Sequence, residues 1–394
     1  MNKIRVLTLV SGLAIGDPLG GAERFGVELA CYLDRERFEP IVCGFWLWNR
    51  PSEKFWLRYL TDKGVQVFFA VKRPKTFSLE AYARGIKSII AHLEGTPIHI
   101  IHSHFQLGSV TALLIKRALR AKGLIRTAHG AFRWEWSNTF VGWLCRQIFT
   151  QWVFPIAFDI EVGVSEYVTR SLNLRLGARL IGKSALLIYN GIEPNRFMTA
   201  QPSPQDRIAL GLDQGTLVVG SVGRLTEQKG YAFLLEAASQ VIAKIPNVQF
   251  LIVGDGELRE KLEQQIDRLG LRGRVILAGA HNPIEPIFKL FDLFVLPSLW
   301  EGLPTVILEA MASGVPVVAT DILGTRELIR QGQTGWLARP RDPSSLAHCI
   351  LEALSDPSKR AAIAQNALQE VVSRFSLHHI ANQYEQLYLD LVNC

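Results

Sequence analysis

The chain lacks several features that would each have named a function class. It has no CxxC pair, and its five cysteines (Cys31, Cys43, Cys145, Cys349 and Cys394) are scattered and odd in number. That argues against a disulfide framework or structural zinc, and for a reducing, cytoplasmic compartment. No window reaches the roughly 18 uninterrupted apolar residues of a membrane span. There is no Asp-X-Asp anywhere, so no carboxylate pair of that kind is available to hold a divalent cation, and no metal site is expected. PLGGAERF at 18–25 is glycine-rich but is not G-x-G-x-x-G, and no acidic ribose ligand can be placed downstream, so it fails as a dinucleotide fingerprint. As a backbone cradle for an anion, Gly20 and Gly21 stay in play. Basic residues with interleaved aromatics are present without a recognised nucleic-acid signature, so nucleic acid is not an expected partner. The start imitates a signal peptide, with Lys3 and Arg5 before an apolar stretch. It is short, has no small-residue cleavage site and runs into a glycine-rich turn, which reads as a first strand.

What is present describes a globular protein. At 394 residues, 48% hydrophobic and 20% charged, two domains are the natural expectation. The net charge of +7 is uneven: through Phe197 there are 26 Lys+Arg against 15 Asp+Glu, and 17 against 21 thereafter. A basic first half suits phosphates or an anionic membrane, or simply keeps the surface soluble.

Short apolar runs alternate with helical periodicity along the whole chain. Strands are predicted at 6–10, 40–45, 65–70, 99–104, 125–129, 161–165 and 186–189, then at 217–222, 248–253, 274–278, 293–297, 316–320 and 335–338. Pro, Asn and Gly concentrate near 190–214, which marks a joint. The expected architecture is α/β: two Rossmann-like domains with mostly parallel sheets, at 1–197 and 198–375, facing each other across a cleft. A last helix at 376–394 cannot extend a sheet and is free to pack back onto the first domain.

The most informative stretch is LFVLPSLWEGLPTVILEAMASGVPVVATD at 293–321. It reads strand, turn, helix, strand, with Pro304 at the helix start and Gly314 and Pro316 at its end. From Leu303 to Gly314 every residue is apolar, small or Thr except Glu309. A helix apolar all round is buried, and an unpaired buried carboxylate costs several kcal/mol. Glu309 therefore needs a hydrogen-bonding partner, and helical side chains lean back toward the N-terminus, where Glu301 lies. Two carboxylates at the positive end of a helix suggest hydroxyl recognition beside a bound anion.

Other motifs divide between chemistry and plain structure. GSVGRLTEQKG at 220–230 places Arg224 and Lys229 between a strand end and a helix, which suits a diphosphate. VGDGELRE at 253–260 offers Asp255 and Glu257, but Gly-Asp-Gly is also an ordinary turn with an acid in the first helical turn, the preferred reading. IHSHFQLG at 101–108 and TAHGAFR at 127–133 put His102, His104, His129 and Arg133 at two strand ends, where they can bind an acceptor or move protons. Alternation points His102 and His104 to one face, so one of them can be a satisfied interior histidine. The aromatic-rich segment at 140–158 has Val141, Leu144, Ile148 and Trp152 in register; it fits a membrane interface, but core is the preferred reading.

In order along the chain, GGAER at 20–24, VSE at 164–166, NGIEPNRF at 190–197, GRLTEQKG at 223–230 and EGLPTVILEAMASGVPVVAT at 301–320 resemble the family-four retaining glycosyltransferases of GT-B fold. The resemblance covers nearly the whole chain and is strongest from Gly220 to Asp342. It implies a sugar transferred, with retention, from a nucleotide diphosphate sugar (UDP or GDP) to a glycan or lipid-linked acceptor in polysaccharide or glycolipid synthesis. It implies that Arg224 and Lys229 hold the donor diphosphate, that Gly20 and Gly21 face it, and that Glu309 bonds the ribose. Glu301, with the backbone of Gly302, Leu303, Pro304 and Thr305, would hold the donor sugar. His104 matches the first-domain histidine near the reacting sugar, with His102, His129 and Arg133 left for the acceptor. Enzymes of this kind typically need neither metal nor other cofactor. A peripheral, salt-sensitive contact with the inner face of the cytoplasmic membrane is expected from the basic first half. Two alternatives are a transferase-silent nucleotide-sugar binder and a nucleotide-sugar 2-epimerase on the same fold.

Overall fold

The computed structural model describes residues 3–16, 19–130 and 140–393. Contacts divide the chain into two units, Met1–Gly191 with Leu377–Cys394, and Ile192–Ser376. The second unit begins at Ile192, inside the expected joint but ahead of the expected boundary at 197/198, because Phe197 is buried edge-on against Phe288 of that unit.

The first unit is built on strands β1 (Ile4–Val10), β2 (Phe38–Leu47), β3 (Gln66–Lys72), β4 (Ile100–Ser103), β5 (Gly123–Ala128), β6 (Ile160–Gly163) and β7 (Leu186–Leu187), ordered β3-β2-β1-β4-β5-β6-β7. The second carries β8 (Leu217–Val222), β9 (Val248–Val253), β10 (Val275–Gly279), β11 (Leu293–Leu296), β12 (Val317–Thr320) and β13 (Trp336–Ala338), ordered β10-β9-β8-β11-β12-β13. The described pairings are parallel, β1 on β4 and β8 on β11 among them. Parallel strands need helical crossovers on both faces, which is why the central strands are buried throughout: β4, β9 and β11 show no exposed position.

In each sheet the strand order reverses direction once, between β1 and β4 and between β8 and β11. The loops leaving those four strands diverge there, and such a switch point is where open α/β sheets bind ligands.

The tail forms three helices, Pro343–Ser355, Pro357–Arg374 and Leu377–Asn393. The last belongs to the first unit, where Leu377, Ile380, Tyr384 and Tyr388 are buried with Val6, Phe25, Ile100 and Ile125.

The core reading of 140–158 fails for the row that carried it and holds only for the opposite face; the side chain of Val141 lies outside the described residues. Thr150, Phe154 and Phe158 are buried, whereas Leu144, Ile148, Trp152 and Ile156 are exposed. The segment is an α-helix (Phe140–Ile148), a π-helical turn (Phe149–Val153) and a short helix (Phe154–Ala157). Behind it lies a buried ion network invisible in the sequence: Glu161 is flanked by Arg126 and Arg175, all but inaccessible to solvent. Arg175 also donates to the carbonyl of Thr150 at 3.1 Å, tying the π turn to β6.

Candidate active site

At the switch point of the second sheet, the loop after β8 and the turn after β11 are bound together by backbone. Gly230 has φ +65°, and a Cβ there would lie 2.2 Å from the carbonyl oxygen of Pro297. Only glycine tolerates both the left-handed conformation and that approach. Leu299 N–H donates to the Gln228 carbonyl at 2.8 Å, and Gln228 Nε2 donates to the Trp300 carbonyl at 2.9 Å.

This clamp sets the side chains. Lys229 Nζ reaches Glu301 Oε1 at 2.6 Å, Ser298 Oγ donates to the same oxygen at 2.7 Å, and Gln228 Nε2 donates to Oε2 at 3.2 Å. The Lys229 and Glu301 side chains are 15% and 9% exposed, so the pair is shielded yet reachable. Sequence reasoning had Lys229 and Glu301 in separate roles; the structure joins them directly. Ser298 and Gln228 were missed as partners. Gln228 sits inside a motif already singled out, but nothing local says that its amide reaches across to another strand.

The turn is supported from below. Thr320 Oγ1 donates to the Ser298 carbonyl, and Thr325 Oγ1 to the Thr320 carbonyl. Gly324 packs so closely that a Cβ would come within 2.8 Å of the Gly302 carbonyl oxygen. Pro304 caps the helix Thr305–Ala312, in which Ile307 through Ala312 are all buried, Glu309 among them. Arg224 follows β8 with its side chain exposed. Asp255 is spoken for: its Oδ1 accepts from Gly256 N–H at 2.7 Å and pairs with Arg259 at 3.1 Å. The Gly256 bond, then Arg259, holds its carboxyl below the usual range.

The switch point of the first sheet gathers the histidines. His102 lies inside, its Nδ1 sharing a hydrogen bond with Tyr388 at 2.8 Å and its Nε2 with Thr127 at 2.7 Å. Tyr384 bonds the same Thr127 hydroxyl at 3.0 Å. His102 is thus the satisfied interior histidine, fixed by the final helix, and direct acceptor contact is not its place.

His104 and His129 face each other instead, Nδ1 to Nε2 at 3.2 Å, with Phe25 packed edge-on against both rings. The outer nitrogens, His104 Nε2 and His129 Nδ1, are buried without a hydrogen-bond partner among the described residues. Burial drives the imidazoles toward the neutral form: His102 and His129 are lowered to about 3, and His104 falls well below the usual value. After desolvation, neighbouring histidines depress His102 and His104, and the Arg126 charge depresses His129.

Gly20 precedes the helix Gly21–Tyr32; its N–H meets Glu23 Oε2 at 3.3 Å, and a Cβ there would touch nothing within 4 Å. Pro18, which opens that motif, and Arg133 lie outside the described residues.

Two parallel-sheet Rossmann-like domains, each with polar groups at its switch point, define the GT-B class. Family comparison gives the same answer: the description "Glycosyltransferase Family 4" matches residues 19–196 and "Glycosyl transferases group 1" matches residues 202–370. The chain belongs to the family-four retaining glycosyltransferases, and its work is to move a sugar from a nucleotide sugar. It is similar, at 27% identity over 95% of both chains, to the UDP-Gal:alpha-D-GlcNAc-diphosphoundecaprenol alpha-1,3-galactosyltransferase of Escherichia coli. It is 25% identical to the lipopolysaccharide core biosynthesis mannosyltransferase LpsB of Rhizobium meliloti, over 76% of this chain and 81% of that one. Among solved structures it resembles Anabaena HepE in complex with UDP and glucose, with TM-score 0.79 and 26% identity over 98% of this chain and 100% of that one.

Proposed function

We propose that the protein takes a hexose from a UDP-hexose and adds it, with retention, to a lipid-linked glycan of the cell envelope. The Lys229–Glu301–Ser298–Gln228 cluster at the switch point carries this reading. A cation and a carboxylate held side by side match a donor with a diphosphate at one end and sugar hydroxyls at the other. Arg224 and Lys229 take the diphosphate, Glu309 the ribose, and Glu301 with the Gly302–Leu303–Pro304–Thr305 backbone the hexose. In the first domain Gly20, where a Cβ would touch nothing within 4 Å, leaves the head of the helix Gly21–Tyr32 open to an anion. The names of similar proteins support UDP over GDP, since HepE is solved with UDP and glucose and the E. coli relative uses UDP-Gal.

The reaction needs charge stabilisation on the departing UDP, and the two cations supply it with no metal. To His104, paired with His129, falls the contact with the reacting sugar. Both are neutral at working pH, so they orient and hydrogen-bond without adding charge. Same-face attack by the acceptor hydroxyl, its proton passing to the leaving phosphate, accounts for retention. The lipid-linked acceptor calls for peripheral contact with an anionic membrane.

Thermal-shift titration against UDP-, GDP- and ADP-sugars tests the donor, because a ligand that binds the folded state stabilises it by mass action. UDP-hexoses alone are expected to raise the melting temperature; a response to GDP-mannose in their place refutes the donor assignment. Conversion of the donor without any acceptor would mark a 2-epimerase.

A further inference from the structure

The segment behind β6 carries apolar residues on two opposite faces. Thr150, Phe154 and Phe158 form the inner row, while Leu144, Ile148, Trp152 and Ile156 form the outer row, with Ile156 58% exposed. Both rows advance by four residues. In a pure α-helix, with about 100° per residue, a stride of four drifts by about 40° per step and winds off its face. The π turn at Phe149–Val153 holds more residues per turn and turns the drift back. All four outer residues therefore stay on the solvent side.

A second exposed row lies alongside. The helix Leu176–Leu180 packs so closely that a Cβ on Gly177 would sit 2.5 Å from the Gln151 carbonyl oxygen and 3.1 Å from Trp152 Cα. Leu176 N–H donates to Gln151 Oε1 at 3.2 Å, and Arg175 holds the π turn from beneath. Leu180 is 72% exposed, next to exposed Arg179 and, one helix back, Arg170. Exposed apolar side chains gathered on two helices that touch one another differ from the scattered single ones that need no explanation.

We infer that this two-helix face is where the protein enters the membrane interface, with the outer row and Leu180 in the headgroup–acyl boundary and Arg170 and Arg179 on anionic headgroups. This deepens the lipid-linked acceptor reading and rests on it. The occupant is a bilayer, since apolar rows with a tryptophan and flanking arginines match the layering of that boundary, and the unit carrying them holds the positive excess of the chain. The contact is apolar first and electrostatic second, so, unlike the salt-sensitive contact expected from charge alone, it outlasts salt that shortens the Debye length to about 3 Å at 1 M.

The test is co-sedimentation of the full chain with vesicles of phosphatidylethanolamine and phosphatidylglycerol. The wild type is expected to sediment and to remain largely bound in 1 M salt, and Ile156→Ser with Leu180→Ser to lose affinity by at least about tenfold. Because both side chains are more than half exposed, the variant should keep its urea unfolding midpoint and its transfer to detergent-dispersed acceptor. Wild type left in the supernatant, or a variant that sediments equally well, overturns the inference. So does a wild-type dimer that the variant dissociates, since a second copy would then own the face. Vesicle binding without any transferase activity would leave this surface standing and refute the proposed function instead.

Discussion

Removing the charge of Lys229 while keeping its stem, as Lys229→Met, gives two separable effects. In the free protein the Glu301 carboxylate, 9% exposed, loses its cation and keeps only Ser298 and Gln228 as donors. Breaking a fully buried pair from one side costs about 3–5 kcal/mol. The lysine here is 15% exposed and two neutral donors remain, so about 1–3 kcal/mol is the fair expectation for the second domain. The other effect falls on the donor: one charge-assisted bond to a diphosphate, about 1.5–3 kcal/mol, corresponds to UDP binding weaker by about 10- to 150-fold. Glu301→Gln acts in the opposite sense on UDP, because it frees Lys229 for the diphosphate; UDP should bind at least as tightly while transfer of hexose falls. The double variant removes both charges and should recover most of the lost stability without recovering UDP affinity. Calorimetric UDP titration and urea unfolding of all three variants read these quantities. If Lys229→Met bound UDP as the wild type does, the phosphate role of Lys229 would be wrong. If the double variant were no more stable than Lys229→Met, the pair would not be coupled as its geometry implies.

Three further outcomes are expected. Gly230→Ala meets a left-handed φ and the Pro297 carbonyl oxygen at 2.2 Å; it should lower stability by about 2 kcal/mol or more and weaken UDP binding, and an unchanged melting curve would refute the clamp. Tyr388→Phe strips a partner from His102 Nδ1 and should destabilise the first domain by about 1–3 kcal/mol in urea, with UDP affinity unchanged. The buried histidines set a pH window: His102 and His129 are lowered from 6.5 to about 3, so between those values the unfolded chain binds more protons than the native one. Stability is then complete above about pH 6.5 and declines by up to about 1.4 kcal/mol per pH unit for each histidine as pH falls; urea midpoints at pH 7.5, 6 and 5 check this, and a flat profile refutes it.

The expected strands overlap the thirteen strands of the described residues, most of them because parallel strands buried on both faces are continuously apolar and so announce themselves locally, although the edge strands Gln66–Lys72 and Leu186–Leu187 are partly or wholly exposed. The composition of 140–158 was legible and its burial was not: both rows of the segment are apolar, and only a π turn and the packing of Leu176–Leu180 decide which row meets solvent. His102 and His104 are likewise equivalent in sequence. What separates them is the helix Leu377–Asn393, which brings Tyr388 and Tyr384 from the far end of the chain to satisfy one and leaves the other paired with His129.

The chain's own pattern, then, was enough to determine two parallel α/β domains, the turns that carry Lys229 and Glu301, and the family, since local periodicity and motif spacing encode each of these. Tertiary structure alone decided the partnerships: the bond between Lys229 and Glu301, the interior role of His102, the Glu161 ion network and the exposed apolar rows. Those depend on residues dozens to hundreds of positions apart, brought together by sheet order and helix packing, and no local rule of spacing encodes such distances.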